Sequence, residues 1–202
     1  MSEVFQAVSL SAIDHDPLGQ RAKFYLNVNK TLDRLYKQKF VSFTDSTNEA
    51  TINTARDCGW EVVVGKFPTN LARLKAIERA LNGTSDFINL WDADRLLHAA
   101  TMSPNELEDL VRQTVKYDFF IVGGTPDAIK THPSSLVVWE SIKSERLGHY
   151  LGIEGDILNR GAFGFSREFA RFLLTYHYED CDESEGLFTI LALEYKKQLK
   201  ND

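Results

Sequence analysis

The chain has 202 residues, 43% of them hydrophobic and 26% charged, with a formal net charge of −6. That size and balance suit one sizeable globular domain spanning 1–202, and the acidity excludes the basic surface that non-specific nucleic-acid binding requires. Cys58 and Cys181 match no metal-ligand spacing and read as reduced thiols. The polar N-terminus and the lack of any apolar run near the ~18–20 residues of a membrane span predict a cytoplasmic protein with no transmembrane segment.

Short β-rich runs alternate with helical periods along the chain. Ala7 to Ile13 reads as a first strand, and Phe24, Val28, Leu32, Leu35 and Tyr36 then keep the spacing of an amphipathic helix. Phe40 to Phe43 is a second strand, followed by turn and N-cap chemistry at Asp45 to Asn48 and a short helix from Glu49 to Asp57. Gly59 suits a left-handed stop to that helix, and Trp60 to Val64 reads as a third strand buried on both faces. Leu71, Leu74, Ile77 and Leu81 mark the next helix, closed by Asn82-Gly83. A fourth strand, Phe87 to Trp91, runs directly into Asp92-Ala93-Asp94.

Further on, Ser103-Pro104-Asn105-Glu106 combines a capping box with proline at the first helical position, and Phe119 to Val122 is a fifth strand stopped by Gly123-Gly124. Ser135 to Tyr150 reads as helix, Gly161 to Ser166 as strand, Glu168 to Tyr176 as helix, and Leu187 to about Leu199 as a last helix. This alternation predicts an α/β fold, a three-layer α/β/α sandwich whose mostly parallel sheet is covered on both faces. Right-handed crossovers then gather the strand C-terminal ends along one edge, where ligands bind in open α/β sheets.

Asp92-Ala93-Asp94 lies at the end of such a strand, so its carboxylates fall on that edge. A pair of this kind can hold a hard divalent cation, Mg²⁺ or Mn²⁺, which prefers oxygen ligands and bridges readily to phosphate. Asp at a strand end is also ordinary turn or cap chemistry, and the pair alone does not choose between them.

The wider context resembles the nucleotide-binding half of glycosyltransferase-A enzymes, in particular glycosyltransferase family 2. The likeness is carried by the strand Phe40-Val41-Ser42-Phe43-Thr44-Asp45 ending in an acidic residue, by Asn70-Leu71-Ala72-Arg73 opening a helix, and by the strand ending in Asp92-Ala93-Asp94. The segment Asn159 to Arg167 resembles the later acceptor-side strand of that family. The pattern is departed from at Leu74, in the link Asn82 to Ser85 and at Arg95, which reads as a divergent branch.

The resemblance implies a nucleotide-binding half of about 1–95 and an acceptor-side half of about 96–202. It implies a UDP- or GDP-linked sugar as donor, an unidentified glycosyl acceptor, and manganese or magnesium as cofactor. Asp45 would hydrogen-bond the nucleotide base, with backbone contacts from Ala12 or Ile13. Arg73 would lie near the base or the diphosphate, Asp92 would contact the ribose or assist the metal, and Asp94 would ligate it. An inverting transferase also needs a carboxylate base for the acceptor hydroxyl. The acidic run from Glu179 to Glu185 stands in the corresponding position, leaving Asp182, Glu183 and Glu185 as candidates.

His98, His132 and His177 are possible further metal ligands, and Lys130 and Arg160 possible partners of a leaving diphosphate. Gly123-Gly124 lacks the Gly-Lys-Ser/Thr ending of a phosphate loop. Two other functions compete with a metal-dependent transferase. One is a nucleotide- or sugar-binding protein that keeps the fold without catalysis. The other is an aspartate-based phosphohydrolase, disfavoured because Arg95-Leu96 follows the aspartates here.

Overall fold

The computed structural model describes residues 3–66, 69–123, 134–152, 161–176 and 184–200. After a short helix α1 (Glu3–Gln6) the chain enters β1 (Val8–Asp14), in which every residue is buried. Val8, Leu10 and Ala12 join one apolar cluster while Ile13 joins another. Successive side chains of a strand point to opposite faces, so β1 has a core on each side.

The next helix, α2 (Ala22–Leu35), buries Tyr25, Val28, Leu32 and Leu35, a stripe spaced by three and four residues. It returns the chain to β2 (Lys39–Thr44), parallel to β1. The Asn48 side chain then accepts a hydrogen bond from the Ala50 N–H to open α3 (Glu49–Asp57), and Gly59 at φ +76° ends it, as the sequence predicts. β3 (Glu61–Gly65) pairs parallel with β2. α4 (Thr69–Leu81) carries the chain back across the sheet to β4 (Phe87–Asp92), parallel to β1 on its other side.

The remaining described elements are α5 (Ala93–Met102), α6 (Pro104–Thr114), β5 (Phe119–Ile121), α7 (Ser134–Leu151), β6 (Ala162–Ser166), α8 (Arg167–Leu173) and α9 (Ser184–Gln198). The six strands lie in the order β3-β2-β1-β4-β6-β5. Phe87 to Trp91 face Ser166 to Ala162 in antiparallel register, and β5 is likewise antiparallel to β6. The α/β class is as expected, but the sheet is mixed rather than mostly parallel. Alternating strands and helices predict parallel crossovers; they carry no information that the last strand inserts between its two predecessors in the reverse sense.

Two local expectations are also corrected. β3 is an edge strand with Glu61 and Val64 exposed, not a strand buried on both faces. Its valines reflect β-propensity, which an edge position satisfies equally well. The Ser103 side chain makes no capping bond. Its backbone N–H instead closes the preceding helix on Ala99 O at 2.9 Å, because α5 occupies a stretch for which the sequence reading has no element. Arg167, grouped with the acceptor-side segment, donates to Leu81 O and Ser85 O and so fastens the C-terminal end of α4.

Two apolar clusters sandwich the sheet. One unites β1 and β2 residues with α2, α3, α5 and α6; the other joins α4, α8 and α9 to Phe163 and Phe165 of β6. The helices linking β1 to β2 and β2 to β3 thus share one face, and α4, linking β3 to β4, lies on the other. The strand order reverses between β1 and β4, where open α/β sheets form a crevice beyond the strand ends. The helices that leave those two strands, α2 and α5, pack on the same face. Among the described residues, no helix is long and apolar enough to cross a membrane.

Candidate functional site

A cleft of about 250 Å³ opens at this crevice, lined by Ile13, Asp14, His15, Arg21, Thr44, Ala72, Asp92, Ala93 and Asp94. The paired strands bring Ile13 opposite Asp92 in register, so Asp14 and Asp92 emerge beside each other from neighbouring parallel strands. Both carboxylates are held by guanidinium groups. Arg73 Nη2 donates to Asp92 Oδ1 at 2.8 Å and Oδ2 at 3.0 Å. Arg21 Nη1 donates to Asp14 Oδ1, and the buried Tyr25 hydroxyl donates to Asp14 Oδ2 at 2.9 Å.

Burial is the dominant influence on both acids. It pushes the Asp92 carboxyl above the ordinary carboxylate value, against the lowering effect of Arg73, and pushes Asp14 the same way against Arg21 and Tyr25. Asp16 behaves oppositely. Burial works to raise it, but the Thr51 hydroxyl and the backbone N–H groups of Arg21 and Gln20 hold it below the usual value.

Asp92 is also closely covered from β6. Its N–H donates to Gly161 O at 2.7 Å, and a Cβ on Gly161 would lie 2.0 Å from Asp92 Oδ2. Gly161 itself has φ +70°, a backbone region that residues with a side chain rarely enter. The Asp92 carboxylate is therefore fixed on two sides, by α4 and by the turn into β6.

Asp94 differs. It stands exposed in the first turn of α5, where its Oδ1 accepts from the Arg95 N–H at 2.9 Å. Its charge acts on Arg21 across the cleft. Arg95 also acts on Asp92, so three guanidiniums, Arg21, Arg73 and Arg95, face the carboxylates of this cleft.

The other sequence-predicted residues fall as follows. Ile13 lines the cleft; Ala12 is fully buried within β1 between Val41 and Trp91 and is not part of the lining. Asp45 is exposed just beyond β2, its N–H on Gly65 O at 2.9 Å and one oxygen 4.0 Å from Lys66 Nζ. Thr44, one residue earlier, is the β2 residue that reaches the cleft. His98 is exposed on α5. Asp182, Glu183, His132, His177, Lys130, Arg160 and Cys181 lie outside the described residues, as does the Glu185 side chain, although Glu185 falls in the first turn of α9.

Asp14, His15, Arg21 and Thr44 are cleft residues not among the sequence-predicted candidates. A signal for Asp14 and His15 exists: Asp14-His15-Asp16 repeats, at the end of β1, the carboxylate-x-carboxylate pattern that Asp92-Ala93-Asp94 makes at the end of β4.

The Mn²⁺ or Mg²⁺ that the resemblance implies can be tested against these groups. Among the described residues, no three His, Cys, Asp or Glu side chains form a preformed cage. The cleft fits a cation held by one protein carboxylate, Asp94, and completed by phosphate oxygens and water, a usual arrangement for magnesium. Asp92, whose two oxygens accept from Arg73, keeps further lone pairs on the same edge of the cleft as Asp94.

No protein-family model matches the chain. No curated protein matches it either. A crystal structure of a mycobacterial protein is similar over 89% of this chain and 63% of its own, at 14% identity and a TM-score of 0.47. The chain thus spans less than two-thirds of the length of that protein.

Proposed function

We propose that the chain is a metal-dependent glycosyltransferase of the glycosyltransferase-A type, moving a sugar from a UDP- or GDP-linked donor to an acceptor hydroxyl. The observation that carries this reading is the cleft between β1 and β4. It lies where the strand order reverses, and it presents an exposed carboxylate in an Asp-x-Asp pair beside two fixed ion pairs. Open α/β sheets bind nucleotides at such a point, and the exposed Asp94 carboxylate opposite Arg21 favours a ligand that arrives as a diphosphate with its cation. The transferase chemistry itself rests on the resemblance to family 2.

The protein's part in the reaction follows from its own groups. Ile13 and Thr44 wall the cleft at the ends of β1 and β2, on the side where Asp45 would meet the base. Asp94 would hold Mn²⁺ or Mg²⁺, which when bound neutralises charge on a departing nucleoside diphosphate. Arg73 and Gly161 fix Asp92, so its dipolar surroundings need not reorganise as charge develops. Asp182, Glu183 or Glu185 would take the acceptor proton.

Asp94→Ala is expected to abolish the Mn²⁺-dependent part of nucleotide binding with the fold intact, because Asp94 is exposed and its carboxylate accepts a hydrogen bond from its neighbour's backbone N–H. Calorimetry giving an unchanged metal-dependent affinity in the folded variant would remove the assignment. Asp45→Ala is expected to weaken nucleoside binding without metal, by the roughly 0.5–1.5 kcal/mol of one neutral hydrogen bond or about 3 kcal/mol if charge-assisted. Lost thermal stability at unchanged affinity would instead identify Asp45 as a turn residue.

A second reading, a nucleotide- or sugar-binding protein on the same fold without catalysis, uses the same cleft and the same Asp94. Incubation with UDP- and GDP-sugars and Mn²⁺ separates the two. Slow donor hydrolysis supports the transferase, binding without turnover supports the second reading, and neither outcome in any combination defeats both. A thermal-shift series with UDP and GDP, with and without Mn²⁺, gives the binding half of the answer, since a ligand of the folded state raises its apparent stability.

A further inference from the structure

Arg21 is committed through one nitrogen only. Its Nη1 serves both Asp14 Oδ1 and the His15 carbonyl, the latter at 2.8 Å, and among the described residues Nη2 and Nε take no partner. The side chain keeps 28% of its surface exposed, and it lines the cleft across from Asp94. A guanidinium offers five N–H donors in a rigid fork suited to phosphate. Here one corner of the fork is anchored on a buried carboxylate, and the rest faces a cleft.

His15 beside it is held in a similar way. Its Nδ1 meets Thr44 Oγ1 at 2.7 Å and Ser46 Oγ at 3.2 Å, and Thr44 Oγ1 is itself 3.2 Å from Thr47 Oγ1. Among the described residues Nε2 takes no partner. These hydroxyls fix the ring from one side and leave the other nitrogen for a ligand.

The N-terminus of α2 does not compete as an anion seat. Asp16 already places a carboxylate there, accepting from Gln20 N at 3.0 Å and Arg21 N at 2.8 Å. An anion entering the cleft therefore meets the Arg21 side chain and not the helix backbone.

We infer that Arg21, with His15 beside it, is the anion-binding arm of this cleft, taking phosphoryl oxygens of a diphosphate whose divalent cation sits on Asp94. The inference deepens the function proposed above and rests on its placing a diphosphate ligand here. Asp14 and Tyr25 act as positioning residues for the arm. The cleft then has two poles: a carboxylate for the cation and a tethered guanidinium for the anion.

The test is calorimetry of Mn²⁺-pyrophosphate, UDP, GDP and uridine against wild type and Arg21→Gln. Loss of charge-assisted hydrogen bonds predicts a roughly ten- to hundredfold weaker affinity for pyrophosphate and for the nucleotide that binds, with uridine unchanged. Where Arg21→Gln fails to fold, Asp14→Asn/Arg21→Gln answers the same question, since it leaves no buried charge unpaired. His15→Ala is expected to give a smaller loss of the same selectivity. Wild-type affinity for pyrophosphate in the folded Arg21 variant overturns the inference, as does a wild-type protein that binds no pyrophosphate. Pyrophosphate bound through Arg21 with neither UDP nor GDP bound leaves the arm standing and defeats the nucleotide reading. Nucleotides bound equally well by the variant do the reverse.

Discussion

Replacing Arg73 with methionine is expected to destabilise the protein by about 3–5 kcal/mol at neutral pH, the usual cost of stripping one partner from a buried ion pair. Arg73 is 8% exposed on α4, and it gives Asp92 both of its guanidinium bonds. Methionine fills much of the same space, so the loss is chiefly electrostatic. The pH dependence provides the sign. Burial already raises the Asp92 pKa in the folded protein, and Arg73 is the main influence opposing that rise. A carboxyl whose folded pKa is raised binds more protons folded than unfolded, so its stability contribution is full below the unfolded value and is lost as pH rises through the folded one. Without Arg73 that folded pKa climbs further. The destabilisation should therefore be largest at neutral pH and shrink as pH falls towards the ordinary carboxylate range. Chemical denaturation of wild type and variant across that range checks it; a pH-independent difference would mean that Arg73 contributes packing and not charge.

Gly161→Ala is expected to have an effect of similar size through a different route. The left-handed backbone alone costs roughly 1–2 kcal/mol for a residue with a side chain. The new methyl would also meet Asp92 Oδ2 at 2.0 Å and Cγ at 2.4 Å, so the carboxylate must leave its place or β6 must draw away from β4. Either movement disturbs the Arg73 pair. The expected result is a fall in melting temperature together with lost nucleotide affinity. Gly59→Ala supplies the comparison: Gly59 has φ +76° with nothing within 4 Å of an added Cβ, so it should cost stability while sparing affinity. Equal affinities for wild type and Gly161→Ala would show that the close approach does not position the cleft.

The elements were largely legible because their signals are local. Leu32 and Leu35 on a helical stripe, Asn48 as a cap and Gly59 as a stop depend on neighbours within a turn or two, and each behaves as its chemistry predicts. Two local signals misled, α5 having no predicted element and Ser103 making no side-chain cap, but the larger corrections depend on distant contacts. That β6 runs antiparallel between β4 and β5 is settled by pairing between residues far apart in sequence, and so is the outer position of β3. The site divides in the same way. Asp92 and Asp94 were visible because they end an apolar strand, and Arg73 was reached by resemblance. Asp14 was hidden by taking β1 to end at Ile13, one residue early, although the same strand-terminal pattern stands there. Arg21 had no signal of its own: a basic residue at the start of a helix reads as solvated until Asp14 is known to be buried beside it.

The insertion of β6 between β4 and β5 also bears on the order in which the nascent chain can fold. Strands β1 to β4 can assemble once Asp92 has been made, but β5 has no other neighbour in the sheet and must wait for Ala162–Ser166. Until then the outer edge of β4 has no partner strand, and Ile88 and Leu90 lack the Phe163 and Phe165 rings that later join their cluster. An open apolar edge of that kind is a template for pairing with other chains. A chain stalled or cleaved between β5 and β6 is therefore expected to expose that edge and to aggregate more readily than the full sheet.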